Sequence, residues 1–293
     1  MRPFTYHAPT TIEQAVALLA NGGDKARPLA GGTDLLVQMR RGLHDVETLV
    51  DVKHIPQLSR ISFAPTDGLE IGAAVPCADI RTHPQVLALY PGLVDAVSII
   101  GGTAIQERAT MGGNLCNAAP SGDSIPAMIV YDATCLVAGP NGTRTVPVAS
   151  FCTAPGKTVL AKDELLVSLR FPPPAAGSGG AYIRFTPRHE MDIAVAGAGA
   201  WVRLNDNTVA EARIAIGAVA PTSLLVPEAG VWLIGKTPTP EMLAQAGQVA
   251  EQAARPITDV RGTEAQRRHL VSVLVRRTLE KAVERAKGEA LHE

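Results

Sequence analysis

The chain has 293 residues, of which 46% are hydrophobic, and its formal net charge is −1 at pH 7. This length is sufficient for two or three domains with cores of their own. The positive and negative charges are nearly balanced, and the basic residues are not clustered. Both observations argue against nucleic acid or an anionic membrane surface as a partner.

The features that report on cellular location indicate a reducing compartment. The N-terminal segment is too polar for a signal peptide, and no window of the sequence approaches a membrane span. Four cysteines are widely separated, with the spacing of neither a metal knuckle nor a disulfide framework. We therefore expect a cytoplasmic protein.

The first fifty residues alternate between helix and strand. Thr10 and Glu13 have the spacing of a capping box, and the apolar periodicity that follows predicts a helix that ends near residue 22. A glycine-paired loop, a second helix from Asp34 and a strand at 49–52 come next. This is a strand–loop–helix–strand unit with the loop at the start of the helix, where free amides favour a phosphate.

The region from 56 to 172 changes to short strands, turns and helices. The sequence predicts a strand at 69–73, a helix over 83–100 that is broken at Pro91-Gly92, and a helix from Ser124 to Asp132. Asn141-Gly142 predicts a β-hairpin. The proline-rich and glycine-rich run over 171–180 is typical of a linker.

After this linker the pattern predicts three strands and then helices. The strands are expected at about 180–186, 193–204 and 208–219, and the last helix at about 263–287. We interpret this region as a three-stranded antiparallel sheet backed by helices. The many charges of the last helix are typical of a solvated face rather than a docking surface.

Two glycine-paired segments about eighty residues apart carry most of the chemical information. They are Ala30-Gly31-Gly32-Thr33-Asp34-Leu35-Leu36 and Thr110-Met111-Gly112-Gly113-Asn114. Glycine lets backbone amides approach an anion closely and converge on it. Each segment alone fits a plain turn equally well, whereas the two together indicate a ligand with an extended diphosphate. Asp123 either accepts hydrogen bonds from ribose hydroxyls or caps the helix that it precedes.

Two further segments resemble known binding motifs but lack residues that those motifs require. Gly197 to Val202 lacks the third glycine of a dinucleotide fingerprint and continues as a strand. His189-Glu190 begins like a zinc-binding helix, but Ile193 stands where the second histidine belongs. We therefore predict no catalytic side chain and no metal site in this chain.

The two glycine segments, together with the segment around Asp123, resemble those of a known protein family. AGGTDLL, TMGGN and APSGDSIPA, in this order, resemble the FAD-binding medium subunit of the molybdenum hydroxylases, the family that includes xanthine dehydrogenase and aerobic carbon monoxide dehydrogenase. The resemblance extends over the whole chain. It implies an α+β fold, with a two-subdomain FAD-binding domain of the vanillyl-alcohol-oxidase/PCMH type over 1–175 (subdomains about 1–55 and 56–175). A C-terminal α+β domain would follow over 176–293.

The resemblance also implies a set of FAD-binding residues. The first segment would surround the diphosphate, the second would hold its other side and reach toward the flavin, and Asp123 would lie on the nucleotide side. Ile100 matches a position that is aromatic in the xanthine enzymes, and Arg184 one that is often lysine. The expected set is Leu29, Ala30, Gly31, Gly32, Thr33, Asp34, Leu35, Leu36, Ile100, Thr110, Met111, Gly112, Gly113, Asn114, Asp123, Leu166 and Arg184.

The function implied by the resemblance is electron transfer within a larger enzyme. A large molybdenum-pterin subunit would oxidise the substrate, and a small subunit would relay electrons through two iron–sulfur clusters to the FAD of this chain. The assembly expected from the family is a dimer of heterotrimers. The alternatives are a stand-alone FAD-dependent oxidase or dehydrogenase of the vanillyl-alcohol-oxidase type, and a non-catalytic flavin-binding protein.

Overall fold

A computed structural model describes residues 2–188 and 191–288 of the chain. The described strands form four sheets. The strands are β1 (Thr5–His7), β2 (Ala26–Leu29), β3 (Thr48–Asp51), β4 (Ile61–Ala64), β5 (Gly68–Gly72), β6 (Thr134–Gly139), β7 (Gly142–Pro147), β8 (Cys152–Ala154), β9 (Lys157–Thr158), β10 (Leu165–Phe171), β11 (Ser178–Phe185), β12 (Ala196–Asn205), β13 (Thr208–Gly217) and β14 (Leu224–Leu225). The helices are α1 (Ile12–Gly22), α2 (Leu35–Arg40), α3 (Cys77–Thr82), α4 (Pro84–Leu89), α5 (Pro91–Val97), α6 (Thr103–Gln106), α7 (Met111–Asn117), α8 (Ser124–Val130), α9 (Pro227–Leu233), α10 (Pro240–Ala253) and α11 (Glu264–Ala286).

The N-terminal unit is a small parallel sheet in the order β1-β3-β2, and α1 packs on it through its apolar face. The predicted helix over 12–22 is confirmed, but its predicted cap is wrong by one residue. Thr11 is the N-cap, because its Oγ1 accepts a hydrogen bond from the Gln14 amide at 3.3 Å. The Gln14 side chain accepts a hydrogen bond from the Thr10 amide at 3.1 Å, one residue before the cap, so the arrangement resembles a capping box without its reciprocal pair.

The second unit is a five-stranded antiparallel sheet in the order β4-β5-β10-β6-β7, with helices α3 to α8 beside it. The predicted hairpin at Asn141-Gly142 is confirmed as the β6–β7 connection. The second glycine segment was expected to be a loop, and that expectation is wrong. Thr110 caps α7, and residues 111–114 form the first turn of this helix.

The C-terminal unit is an antiparallel sheet in the order β11-β12-β13-β14. The three predicted strands are confirmed, and the two-residue strand β14 is an addition that the sequence pattern did not predict. The linker is shorter than predicted, because β11 begins at Ser178. The segment between β10 and β11 coincides with the expected domain boundary, which stays a prediction.

Strand β12 separates two cores, and this explains its run of small residues. Side chains alternate across a strand, and Ala198 and Ala200 belong to the C-terminal core. On the opposite face, a Cβ at Gly199 would meet the backbone of Pro126 in α8, and Trp201 belongs to the core of the second unit. The interpretation of this segment as a tightly packed strand is confirmed.

The charges of α11 are more than a solvated face. Arg285 donates to both carboxylate oxygens of Asp95 in α5, at 2.6 and 2.9 Å, and Lys281 donates to the same carboxylate at 3.0 Å. Asp95 also accepts from the Tyr182 amide in β11 at 3.1 Å. The Asp95 side chain is only 13% exposed, so this cluster anchors the C-terminal unit to α5.

We expect the Asp95→Ala variant to lower the free energy of unfolding by about 3–5 kcal/mol, because it leaves two cations in a partly buried site without their anion. Chemical denaturation of the purified chain measures the loss. Asp45→Ala is the matched control, since Asp45 pairs with Arg2 in an exposed position where ion pairs contribute about 1 kcal/mol or less. Equal losses in the two variants would contradict the anchoring role.

Candidate functional site

The first glycine segment lies at the carboxyl edge of the parallel sheet, between β2 and α2. In the described part of the chain, the amides of Gly31, Gly32 and Thr33 have no hydrogen-bond acceptor. Gly32 has φ +76°, a backbone conformation that residues other than glycine rarely adopt. Successive free amides in such a turn form a concave site for an anion.

The second segment presents the N-terminal turn of α7. The Thr110 hydroxyl accepts a hydrogen bond from the Gly113 amide at 2.8 Å. The Met111 amide takes part in the antiparallel bridge between Thr110 and Pro76, whereas the Gly112 amide has no intrahelical acceptor because of its position in the first turn. Asn114 Oδ1 accepts from the Ser124 hydroxyl at 2.7 Å, so this side chain ties α7 to the start of α8.

The tertiary structure brings the first segment into contact with residues 108 and 109, which lead into the second segment. A Cβ on Gly31 would overlap the carbonyl oxygen of Arg108, two residues before the second segment. The helices that follow the two segments are also joined, because Gln38 Nε2 in α2 donates to Asn117 Oδ1 in α7 at 2.9 Å. The two segments therefore lie next to each other in the fold, as a ligand with an extended diphosphate requires.

Asp123 and Arg184 form a buried ion pair, in which the Asp123 side chain is 10% and the Arg184 side chain 7% exposed. Asp123 also accepts a hydrogen bond from the Tyr182 hydroxyl at 2.9 Å. It stands at the N-cap position of α8, as the helix-cap alternative requires, but its side chain makes no hydrogen bond to the amides of this helix. Its role toward a ribose stays a prediction, and the charge of Arg184 is balanced by this carboxylate.

Burial raises the pKa of the Asp123 carboxyl to about 6, although the Arg184 guanidinium and the Tyr182 hydroxyl oppose this shift. Burial also raises the pKa of Tyr182, and the neighbouring Asp123 charge adds to that effect. Tyr182 therefore remains a neutral donor, and Asp123 is the group that changes its charge near neutral pH.

The remaining predicted residues lie around these groups. Leu29 and Leu36 side chains pack beside Gly32, and Ile100 is partly buried against the core of the second unit. Leu166 is 3% exposed and belongs to the same core as Met111 and Leu115, beneath α7. Their contact with a ligand stays a prediction.

Three residues beside the first glycine segment were not predicted from the sequence to belong to the site. Lys53 Nζ donates to the Ala30 carbonyl at 3.2 Å and to Asp51 Oδ1 at 2.6 Å, and the Tyr6 hydroxyl donates to Asp51 Oδ2 at 2.5 Å. Tyr6 and Asp51 are 45 residues apart in sequence. Only the pairing of β1 with β3 brings them together, so no local motif signals this network.

Among the described residues, no group of three or more His, Cys, Asp or Glu side chains could hold a metal ion. His189 and Glu190 lie outside the described residues. Burial raises the pKa of the Cys152 thiol to about 11 and that of Cys77 to about 12, so these thiols are neutral near pH 7. Within residues 2–188 and 191–288, every helix is too short or too polar to span a lipid bilayer.

Comparison with known proteins gives matches over almost the whole chain. A family model for the FAD-binding domain in molybdopterin dehydrogenase matches residues 2–174, and one for the C-terminal domain of the carbon monoxide dehydrogenase flavoprotein matches 181–282. The chain is 33% identical to the xanthine dehydrogenase FAD-binding subunit of Escherichia coli O157:H7, over 97% of this chain and 98% of that protein. It is 35% identical to the carbon monoxide dehydrogenase medium chain of Hydrogenophaga pseudoflava, over 95% and 96% of the two chains. A solved structure of carbon monoxide dehydrogenase from Hydrogenophaga pseudoflava contains a chain that aligns with a TM-score of 0.93 at 34% identity, over 97% of this chain and 98% of that one.

Because the pKa of Asp123 is raised in the folded chain, the free energy of unfolding depends on pH, and the direction of that dependence can be stated. Its folded value of about 6 lies above the value near 3.9 of an unfolded aspartate. The folded chain therefore retains a proton that the unfolded chain has lost, and this contribution to stability is present below about pH 4 and is lost as pH rises through about 6.

We expect the free energy of unfolding of the unmodified chain to fall, between pH 4 and pH 7, by about 2 kcal/mol more than that of the Asp123→Asn variant. Denaturant titrations of the two proteins at matched pH values measure this difference. The comparison cancels the other titrating groups, because the two chains share them. Parallel pH profiles would contradict the raised pKa.

Proposed function

Because this chain belongs to the family of FAD-binding subunits of molybdenum hydroxylases, we propose that it is the electron-transfer subunit of such an enzyme. It takes electrons from iron–sulfur clusters of a small partner subunit and passes them to an external acceptor. A large partner subunit with a molybdenum-pterin cofactor oxidises the substrate. The assembly is a dimer of these three-chain units.

The observation that carries the proposal is the close approach of the first glycine segment to the residues that lead into the second. Gly31, Gly32 and Thr33 offer free amides on one side, and the first turn of α7 offers that of Gly112 on the other. A diphosphate bears two negative charges close together, and converging amides stabilise such charges without a side chain. The residues present therefore fit the diphosphate of FAD.

The described side chains support a role in binding and positioning. When bound, FAD supplies redox chemistry with one or two electrons at a time, which suits transfer from iron–sulfur clusters to a two-electron acceptor. The buried Asp123–Arg184 pair and the Asn114–Ser124 hydrogen bond hold the surrounding segments in place. Substrate chemistry is assigned to the large partner subunit, as the names of the relatives as dehydrogenase subunits suggest.

The diphosphate assignment predicts that the Gly32→Asp variant loses FAD, because it adds a negative charge to the loop that offers the free amides. We expect the dissociation constant for FAD to rise about 100-fold or more. Gly32→Asn is the matched control, since asparagine and aspartate have the same size and tolerate a positive φ equally. Flavin absorbance and titration of the two folded variants measure the difference, and equal FAD binding would contradict the assignment.

The subunit assignment predicts the composition of the native complex. A tagged copy of the chain, purified from its native host, is expected to contain FAD, iron and molybdenum together with two further chains. Cofactor analysis and mass spectrometry of the eluate measure this. FAD without metals or partner chains would overturn the subunit assignment and favour a stand-alone flavoenzyme.

A further inference from the structure

The Asp51 carboxylate is the centre of a hydrogen-bond network at the edge of the N-terminal sheet. Asp51 is the last residue of β3, the central strand, and it is 4% exposed. Its Oδ2 accepts from the Tyr6 hydroxyl at 2.5 Å. Its Oδ1 accepts from the Lys53 amide at 3.1 Å and from Lys53 Nζ at 2.6 Å. Asp51 therefore fixes the position of the Lys53 ammonium group.

The same ammonium group reaches the first glycine segment, since Lys53 Nζ donates to the Ala30 carbonyl oxygen at 3.2 Å. A trans peptide points its C=O and its N–H in opposite directions. Holding the Ala30 carbonyl toward Lys53 therefore turns the Gly31 amide away from it. That amide has no acceptor among the described residues.

We infer that the Asp51–Lys53 pair is a positioning device, which orients the Ala30–Gly31 peptide so that the Gly31 amide donates to the diphosphate of FAD. This inference rests on the proposed function. Lys53 acts through the loop backbone, because its charge is already balanced by Asp51 at 2.6 Å. Tyr6 supports the device by fixing the second oxygen of the carboxylate.

The positioning role predicts that loss of the Lys53 contact weakens the binding of ligands that contain a diphosphate and does not affect ligands that lack it. FAD and ADP carry this group, and riboflavin does not. A hydrogen bond to a charged group contributes enough to change affinity by about 10- to 100-fold. If the Ala30–Gly31 peptide turned freely, the binding of FAD and of ADP would therefore become weaker and the binding of riboflavin would not change. A general loss of structure would instead weaken the binding of all three ligands.

The test uses the full chain, stripped of flavin, with dissociation constants measured by fluorescence titration for FAD, ADP and riboflavin. For Lys53→Met we expect the constants for FAD and ADP to rise about 10- to 100-fold and that for riboflavin to stay unchanged. Lys25→Met is the matched control, because Lys25 pairs with Glu47 at the opposite end of β3 and the variant changes the net charge equally. Its three constants are expected to match those of the unmodified chain.

A second variant keeps the test decisive if Lys53→Met does not fold. Tyr6→Phe removes one hydrogen bond from Asp51 at a side chain that is half exposed, and we expect a smaller effect with the same preference for FAD and ADP. Unchanged FAD binding in the folded variants, or equal weakening of all three ligands, would overturn the inference. An unmodified chain that binds no FAD would instead overturn the proposed function.

Discussion

The arrangement of the site depends on the absence of a side chain at Gly31. A Cβ there would overlap the Arg108 carbonyl oxygen, so the loop after β2 lies directly on the backbone that leads into α7. A comparable contact seats α7 itself, because a Cβ on Gly112 would overlap the backbone of Ala73. Two backbone segments that approach so closely can direct their amides at one ligand. Larger residues at these positions would separate the two halves of the site.

Buried charges fix the C-terminal unit against the rest of the chain. The acids Asp95 and Asp123 belong to the first 175 residues, and their cationic partners Lys281, Arg285 and Arg184 follow the linker. Removing one partner of such a pair is costly, because the remaining charge stays buried. The same pairing balances the charge of Arg184, a predicted FAD residue. Any influence of this residue on a flavin would therefore be shared with Asp123.

The polar groups of the site act mainly on the backbone and on one another. Lys53 holds a carbonyl, Thr110 caps a helix, and Asn114 joins α7 to α8. This division agrees with a flavoprotein subunit, in which the cofactor supplies the redox chemistry and the protein supplies position and electrostatics. The sequence relatives are dehydrogenase subunits of the same kind.

The sequence by itself determined the features that rest on local chemistry. It predicted the glycine segments, the strand–loop–helix–strand unit, the hairpin at Asn141-Gly142 and the family, because turn residues and hydrophobic periodicity act within a few residues. Neighbouring residues nevertheless placed the first helix cap one residue too early, and they suggested a loop where Thr110 starts a helix. Only the tertiary structure decided the partners of Asp123, which lie 59 and 61 residues away. It also decided the Tyr6–Asp51–Lys53 network, since pairing between strands that are distant in sequence brings these side chains together, and no local pattern records such a contact.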